Sequence, residues 1–273
     1  MKSAVVAPFV YADFMKWFAF ALLLALSMSA QPLQGVAGRI PEEPSAKAKP
    51  APRLPDGHPD LGNAKGAWNP RVVANLAGAG TQAASRSPVE KPVDVPFLPW
   101  AKAYYDKNVA ELSKDDPEAQ CLPPGIPRMN ATPFPFQIYQ LPDRLIFIYE
   151  GGTHIWRVVY TDGRSHPKDL NPTFMGDSVG HWDGDTMVVD VVGFNDRTWL
   201  DQDGHPHTDA LHIIERYTRL DELNMRYEVK IEDPKAYSKP WTTSYLIPWA
   251  PGAELLEYIC NENNTDLHHL IGK

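Results

Sequence analysis

From Phe136 onward, turn-forming residues divide the chain into short apolar segments of strand length. Segments of this kind, separated by Gly, Asp, Asn and Pro, are typical of antiparallel sheets. We therefore predict a mostly β protein, an antiparallel meander that forms a barrel or half-barrel, preceded by a Pro-rich N-terminal arm and one short helix. The predicted strands are Gln137–Gln140, Arg144–Glu150, His154–Thr161, Thr186–Phe194, Leu211–Leu220, Met225–Asp233, Thr243–Pro248 and Leu255–Asn261.

Two Asp-Gly pairs predict tight hairpin turns. Asp162-Gly163 follows HIWRVVYT, and Asp183-Gly184 stands between GHW and DTMVVDVVGF. Asp-Gly favours the positive φ angles that two-residue hairpin turns require. Each pair is therefore expected to join two antiparallel strands.

Strict alternation along Met225–Asp233 predicts which side chains face the core. Met225, Tyr227, Val229 and Ile231 alternate with charged residues, so they share the buried face. The register with the preceding strand depends on the turn between them. A loop with an even number of residues pairs 220 with 225.

The even loop, which we favour, turns His212 and Arg216 inward together with Tyr227. An odd loop turns Glu215 and Tyr217 inward instead. A buried Arg and His need polar partners, because an unpaired interior charge is costly. The even register therefore predicts a partly polar interior, as a ligand cavity would have.

The N-terminal half has a different composition, since 20 of the 27 prolines precede residue 143. Residues 38–60 have few large apolar side chains and are expected to form a flexible tether. Residues 61–273 are expected to form one domain, with an irregular and helical arm at 61–133 and a β core at 134–273. Within the arm, Gly66-Ala67-Trp68 can open a first strand, and Pro99–Leu112 predicts a helix.

The N-terminus contains a predicted secretory signal. Trp17–Met28 is an apolar run that follows Lys16 and precedes small residues, and it is shorter than the about 20 residues that span a bilayer. Cleavage after Ala30 or Ala37 is expected, so the signal covers residues 1–37, with Met15 as the alternative start of translation. An uncleaved anchor is the alternative. We expect an exported protein, periplasmic or secreted, without stable membrane insertion after cleavage.

The expected export predicts the state of the two cysteines, Cys121 and Cys260. An exported chain with two thiols usually pairs them, so we predict a Cys121–Cys260 disulfide. Two separately buried thiols are the alternative.

Composition excludes several classes of partner and cofactor. The formal net charge of −8 argues against binding to nucleic acids or anionic membranes, which attract basic surfaces. The sequence lacks a glycine-rich phosphate loop, a dinucleotide-binding fingerprint and a zinc-type cysteine cluster. We therefore expect no cofactor.

A concentrated group of polar residues lies in the long loop 195–210 and the strand after it. His205-Pro206-His207 resembles the His-x-His metal pattern of cupins, but Glu215 lies too far along the chain and Asp209 too near, so no metal site is predicted. The loop is expected to be solvated or to cap turns, and a substrate-binding rim is the alternative. The full group is Asp201, Asp203, His205, His207, Asp209, His212 and Glu215.

Aromatic residues are numerous for this length, and exported ligand-binding proteins use such rings as platforms for sugars or apolar molecules. Packing in the core and at the barrel ends is the role we favour for most of them. The candidates are Trp68, Trp100, Tyr139, Trp156, Trp182, Trp199, Trp241 and Trp249.

Many short motifs in one order carry a resemblance over about residues 55–270. They are CLPPGIPR, YTDGRSHP, GHWDGDTMVVDVVGFND, GHPHTDALHIIER, IEDPKAYSKPWT and EYICNEN. With these motifs the chain resembles a large group of uncharacterised exported bacterial proteins, a resemblance that implies no activity. Gly66-Ala67-Trp68 followed by a meander also resembles lipocalin-like (calycin) barrels, which implies a small ligand inside about eight strands. The Pro-rich insert between Trp68 and Phe136 departs from that pattern.

Together these features predict a lipocalin-like protein that binds a small organic ligand in its barrel. The expected polar lining is Arg157, His212, Arg216 and Tyr227. The alternative is an exported hydrolase or lyase, metal-assisted or not, in which His205, His207, His212 and Glu215 are catalytic. An envelope structural factor with a filled barrel is a third possibility.

Overall fold

A computed structural model describes residues 48–63, 65–78 and 89–260. The chain divides into two units, Met1–Ile40 and Pro41–Lys273, and all described residues belong to the second. The predicted signal at 1–37 and the start at Met15 lie outside the described residues. In the described ranges, no helix combines the length and the apolar character needed to cross a membrane.

Within the described residues, nine strands form one mixed sheet in which every strand pairs with the next and β1 also pairs with β9. The sheet is therefore a closed ring, and the prediction of a mostly β protein is confirmed. All pairs are antiparallel except β4 and β5, which run parallel through Tyr160 and Val179. The strands are β1 (Gly66–Trp68), β2 (Phe136–Leu141), β3 (Arg144–Tyr149), β4 (Trp156–Tyr160), β5 (Asp177–Asp183), β6 (Thr186–Val192), β7 (His212–Arg219), β8 (Asn224–Glu232) and β9 (Trp241–Pro251).

Most predicted strands are confirmed, with two exceptions. β5 was missed because Gly180 and four polar residues interrupt its apolar alternation. The last predicted strand is wrong, since residues 253–260 contain no strand. The predicted arm at 61–133 supplies β1, so the ring includes a strand from outside the predicted β core.

The two Asp-Gly pairs have different outcomes. Asp183-Gly184 joins β5 to β6, with Asp183 opposite Thr186, as predicted. The hairpin predicted at Asp162-Gly163 is wrong, because residues 161–176 lead from β4 to a strand parallel to it. Parallel neighbours need a long crossover and cannot be joined by a tight turn.

The register of β7 and β8 shows that the even loop, which we favoured, is wrong. Tyr217 lies opposite Tyr227 and Arg219 opposite Met225, so the odd loop is the one that forms. Glu215 and Tyr217 are buried inside the ring, whereas His212 and Arg216 point outward. The predicted inward face of β8, with Met225, Tyr227, Val229 and Ile231, is confirmed.

The longest helix among the described residues, α1 (Pro99–Ala110), lies where a helix was predicted. Its first position is a proline, which suits the first turn because the amide there has no helical acceptor. A single helical turn, α2 (Gly151–His154), links β3 to β4, and two 3₁₀ turns cover Pro117–Gln120 and Arg128–Asn130.

Contacts outside the sheet join segments that lie far apart in the chain. Cys121 and Cys260 form the predicted disulfide, with 5.8 Å between their Cα atoms. Part of the predicted tether also lies against the ring, since Pro50 bridges to Asp221 and Arg53 forms an ion pair with Asp185.

Candidate functional site

The middle of the ring interior holds a buried ion pair. Arg157 of β4 donates to Glu215 of β7, and Glu215 is fully buried. The hydroxyls of Tyr217 and Tyr227 donate to the same carboxylate at 2.6 and 2.8 Å. Burial, followed by the nearby Glu215 carboxylate, raises the pKa of both tyrosines, which keeps their hydroxyls protonated as donors.

Other polar side chains complete this interior cluster. Asn130 donates to the Tyr217 hydroxyl at 2.9 Å, and Arg157 Nε donates to Ser178 Oγ at 2.9 Å. Three of its buried polar atoms, Arg157 Nη1, Thr243 Oγ1 and the Tyr245 hydroxyl, have no hydrogen-bond partner among the described residues. The interior is thus polar, but the β7 residue that makes it so is Glu215 and not His212 or Arg216, on which the prediction was based, and large side chains occupy it.

The predicted ligand lining is divided between two faces of the sheet. Arg157 and Tyr227 lie inside, but His212 and Arg216 lie outside, as the β7–β8 register requires. Arg216 pairs with Asp183 at 2.8 Å on the surface. Placing all four around one ligand was therefore wrong, because a one-residue change of register moves a side chain to the opposite face.

On the outside, His212 belongs to a row of alternating histidines and carboxylates. His212 Nε2 and His166 Nε2 both contact Asp190 Oδ1, at 2.9 and 3.3 Å. The other nitrogens face Glu232 at 3.2 Å and Asp177 at 2.6 Å. The row attaches the 161–176 connection to β5 and β6. Across the described ranges, no group of three or more His, Cys, Asp or Glu side chains is arranged to hold a metal ion.

Most of the 195–210 loop is buried, whereas Asp196 and Asp209 are exposed, so the expectation that its Asp and His residues are solvated or cap turns is met only in part. Asp201 is fully buried and lies 2.6 Å from His205 Nδ1. It also accepts the backbone N–H groups of Leu76 and Gly204, at 2.8 and 3.0 Å. Burial alone would raise the pKa of Asp201, but His205 and these hydrogen bonds lower it below its usual value. The carboxylate therefore organises the loop from inside.

Aromatic rings enclose His205. Its imidazole lies 4.4 Å from the Tyr105 ring, 5.4 Å from that of Phe97 and 5.7 Å from that of Trp241, measured between centroids. Since His205 is only 1% exposed, a substrate has no direct approach to it. The Asp201–His205 pair joins the loop to α1 and to the start of β9.

His207 has a different environment, in contact with a cavity. Its Nδ1 lies 3.1 Å from the Thr208 carbonyl and can only donate to it, so its Nε2 accepts from the Thr198 hydroxyl at 2.8 Å. Burial lowers the pKa of His207, in agreement with this neutral form. His205, His207, His212 and Glu215, the predicted catalytic set, thus lie in four separate environments.

The cavity beside His207, which we call the end cavity, has a volume of about 330 Å³. It lies between α1 and the β6–β7 connection, at the end of the ring where β7 begins. Sequence analysis identified Trp100, Trp199 and His207 but missed the other members, because only folding brings α1 to the loop. Its lining consists of Trp100, Tyr104, Pro117, Asp196, Arg197, Thr198, Trp199, Pro206, His207 and Thr208.

A second depression, of about 610 Å³, lies on the outer face of β8 and β9. Its charged groups bond each other, since Arg226 pairs with Glu90 at 3.0 Å and Glu90 accepts from Ser244 at 2.7 Å. These bonds fasten residues 89–93 to the ring, which gives this depression a structural role.

The chain has no match among protein-family models, characterised proteins or solved structures. The geometry of the end cavity and of the buried clusters is therefore the basis for a functional assignment.

Proposed function

We propose that the protein is an exported, lipocalin-like binding protein that holds a small organic molecule in the end cavity. The observation that carries the proposal is the composition of the cavity, with aromatic walls, a hydrogen-bonding floor and a charged rim. Pockets for small molecules have this character, and their volumes are about 300–1,000 Å³. The mouth of a β ring is a common place for such a pocket.

Fixed side chains favour binding, because a preformed site loses little conformational entropy when the ligand enters. The Trp100 indole N–H donates to the Lys235 carbonyl at 2.7 Å, and Trp199 Nε1 donates to the Tyr104 hydroxyl at 3.3 Å. On the floor, Thr198 is fixed by its bond to His207.

The location proposed here differs from the interior site expected from the sequence. Inside the ring, Glu215 already accepts from Arg157, Tyr217 and Tyr227, and the rings of Phe147 and Tyr217 pack 5.4 Å apart. The end cavity, by contrast, has exposed members through which a ligand can enter. The disulfide agrees with the export that the proposal includes.

Native mass spectrometry of the protein, purified gently from its producing cells, tests the proposal. We expect one small molecule per chain in the wild type. Arg197→Ala, at the rim, should reduce its occupancy severalfold, whereas Arg164→Ala makes the same chemical change on the 161–176 connection and should leave it unchanged. Equal occupancy in the two variants, or no bound molecule in any sample, would contradict the proposal.

A further inference from the structure

We infer that the molecule bound in the end cavity is a neutral carbohydrate, stacked on Trp100 and Tyr104 and hydrogen-bonded by Asp196, Arg197 and Thr198. The inference rests on the proposed function and specifies its ligand class. Four features of the cavity support it. They are the exposed aromatic rings on α1, the polar groups at the rim, the absence of net charge on the lining, and the angle between the Tyr104 and Trp199 rings.

The first feature is a pair of aromatic rings one helical turn apart on α1. Trp100 and Tyr104 are 45% and 40% exposed, although both are large rings. The bonds from Trp100 to the Lys235 carbonyl and from Trp199 to the Tyr104 hydroxyl keep both rings in place. Exposed rings held in this way present a negative π face, which attracts the C–H groups on the face of a sugar ring.

The second feature is the set of hydrogen-bonding groups facing the same space. Asp196 and Arg197 are exposed at the rim, and in the described ranges neither side chain takes part in an ion pair. The Arg197 guanidinium lies 5.4 Å from the Phe174 ring centre, which leaves its N–H groups available. The Thr198 hydroxyl group donates to His207 Nε2, and its oxygen retains lone pairs that can accept. A carboxylate, a guanidinium and a hydroxyl oxygen together match hydroxyl groups, which both donate and accept.

The third feature is charge. Among the lining side chains, Asp196 is the acid, Arg197 is the base, and His207 is held in its neutral form by the bonds described above. The lining therefore has no net charge near neutral pH. A charged ligand would leave one rim group facing a like charge, so a neutral polar molecule fits best.

The fourth feature separates a sugar from a flat aromatic ligand. The Tyr104 and Trp199 rings meet edge to face, at 84° with 6.5 Å between centroids. They do not form the parallel walls between which a planar ring would lie. The exposed rings of Trp100 and Tyr104, in a cavity that also contains polar groups, suit a ligand ring with an apolar face and polar edges.

Calorimetric titration of the disulfide-bonded mature protein tests the inference. The probes are cellobiose, maltose, chitobiose and xylobiose, with adenosine and phenol as planar aromatic probes. We expect at least one disaccharide to bind more tightly than either aromatic probe. Trp100→Ala should weaken that binding by at least about tenfold, a loss typical of an aromatic anchor.

The matched control is Trp156→Ala, since Trp156 is 66% exposed on β4 and does not line the cavity. The affinity of this variant for the disaccharide should stay within about twofold of the wild-type affinity. Asp196→Ala is a second cavity variant that removes no buried contact, and it should weaken binding while the circular dichroism spectrum stays unchanged. Asp196→Ala still tests the role of the cavity in binding if Trp100→Ala perturbs α1.

The outcomes separate the two proposals. Tighter binding of adenosine or phenol than of every sugar would overturn the carbohydrate inference but leave the binding function in place. The carbohydrate inference would also be overturned, with the binding function left in place, if no sugar binds but the wild type retains a different molecule that Trp100→Ala loses. Equal losses in Trp100→Ala and Trp156→Ala would overturn the inference, and binding of no probe together with no retained molecule would overturn both proposals.

Discussion

Two residues inside the ring are charged and buried. Arg157 and Glu215 are both buried, and removing two charges from water costs several kcal/mol per ion unless each finds partners. The tyrosine hydroxyls and Ser178 supply those partners. The sequence indicated that the interior would be polar, but it could not choose between Glu215 and Arg216, because the parity of one loop decides which of them faces inward.

Breaking the pair should destabilise the protein strongly. Glu215→Gln leaves the Arg157 charge buried without its counter-ion, and we expect the free energy of unfolding to fall by about 3–5 kcal/mol. The double variant Arg157→Met with Glu215→Leu removes both charges and should be more stable than Glu215→Gln. Urea denaturation measures both, and a loss below about 1 kcal/mol in Glu215→Gln would show that the pair is not buried as described.

His207 should make stability depend on pH. Burial lowers its folded pKa from the ordinary 6.5, so below that pH the unfolded chain binds the proton first. Its contribution is therefore complete above about pH 6.5 and is lost as the pH falls through the folded pKa. His207→Gln should flatten this part of the profile, whereas His181→Gln, at an exposed position, should not. Profiles of denaturation midpoint from pH 7.5 to 5 check this, and identical slopes for the two variants would contradict it.

At the scale of elements, the closure of the ring depends on a very short strand. β1 pairs with β9 at three positions and with β2 at one, Trp68 opposite Phe136. The sequence predicted β1 and most other strands because their apolar patterns are local. It did not predict the parallel β4–β5 contact, since Asp162-Gly163 has the local chemistry of a hairpin and only the long 161–176 connection shows otherwise.

Gly66 allows β1 to lie close to β9. A Cβ atom there would contact the Ala250 carbonyl and come within 2.8 Å of the Trp249 ring. Gly66→Ala should therefore lower the free energy of unfolding by more than about 2 kcal/mol. Gly163→Ala, where a Cβ meets no atom within 4 Å, isolates the cost of a positive φ angle and should lose about 1 kcal/mol. Equal thermal shifts in the two variants would contradict a close β1–β9 approach.

At the scale of the whole molecule, the end cavity is assembled from segments far apart in the chain. α1 and the β6–β7 connection meet because Asp201, His205 and Asn108 hold the loop against the helix and the ring, with Asn108 donating to the Gly204 carbonyl at 3.1 Å. The long 195–210 loop was a visible signal in the sequence. Its burial was not, because one partner of Asp201, the backbone N–H of Leu76, lies 125 residues away in the sequence.

The Cys121–Cys260 disulfide should stabilise the assembly as a whole, because it spans 139 residues. Replacing both cysteines by alanine should lower the free energy of unfolding by about 4–5 kcal/mol, the value that loop entropy gives for such a span. Guanidinium denaturation of the double variant should match that of the reduced wild type. An unchanged midpoint in either sample would contradict a stabilising bridge.

A crystal structure of the gently purified protein with its retained molecule tests the central claim most directly. The account predicts density for a small molecule in the end cavity, in contact with Trp100 and Tyr104 and within hydrogen-bond distance of Thr198. Density for the molecule inside the ring instead, beside Arg157 and Thr243, would contradict it.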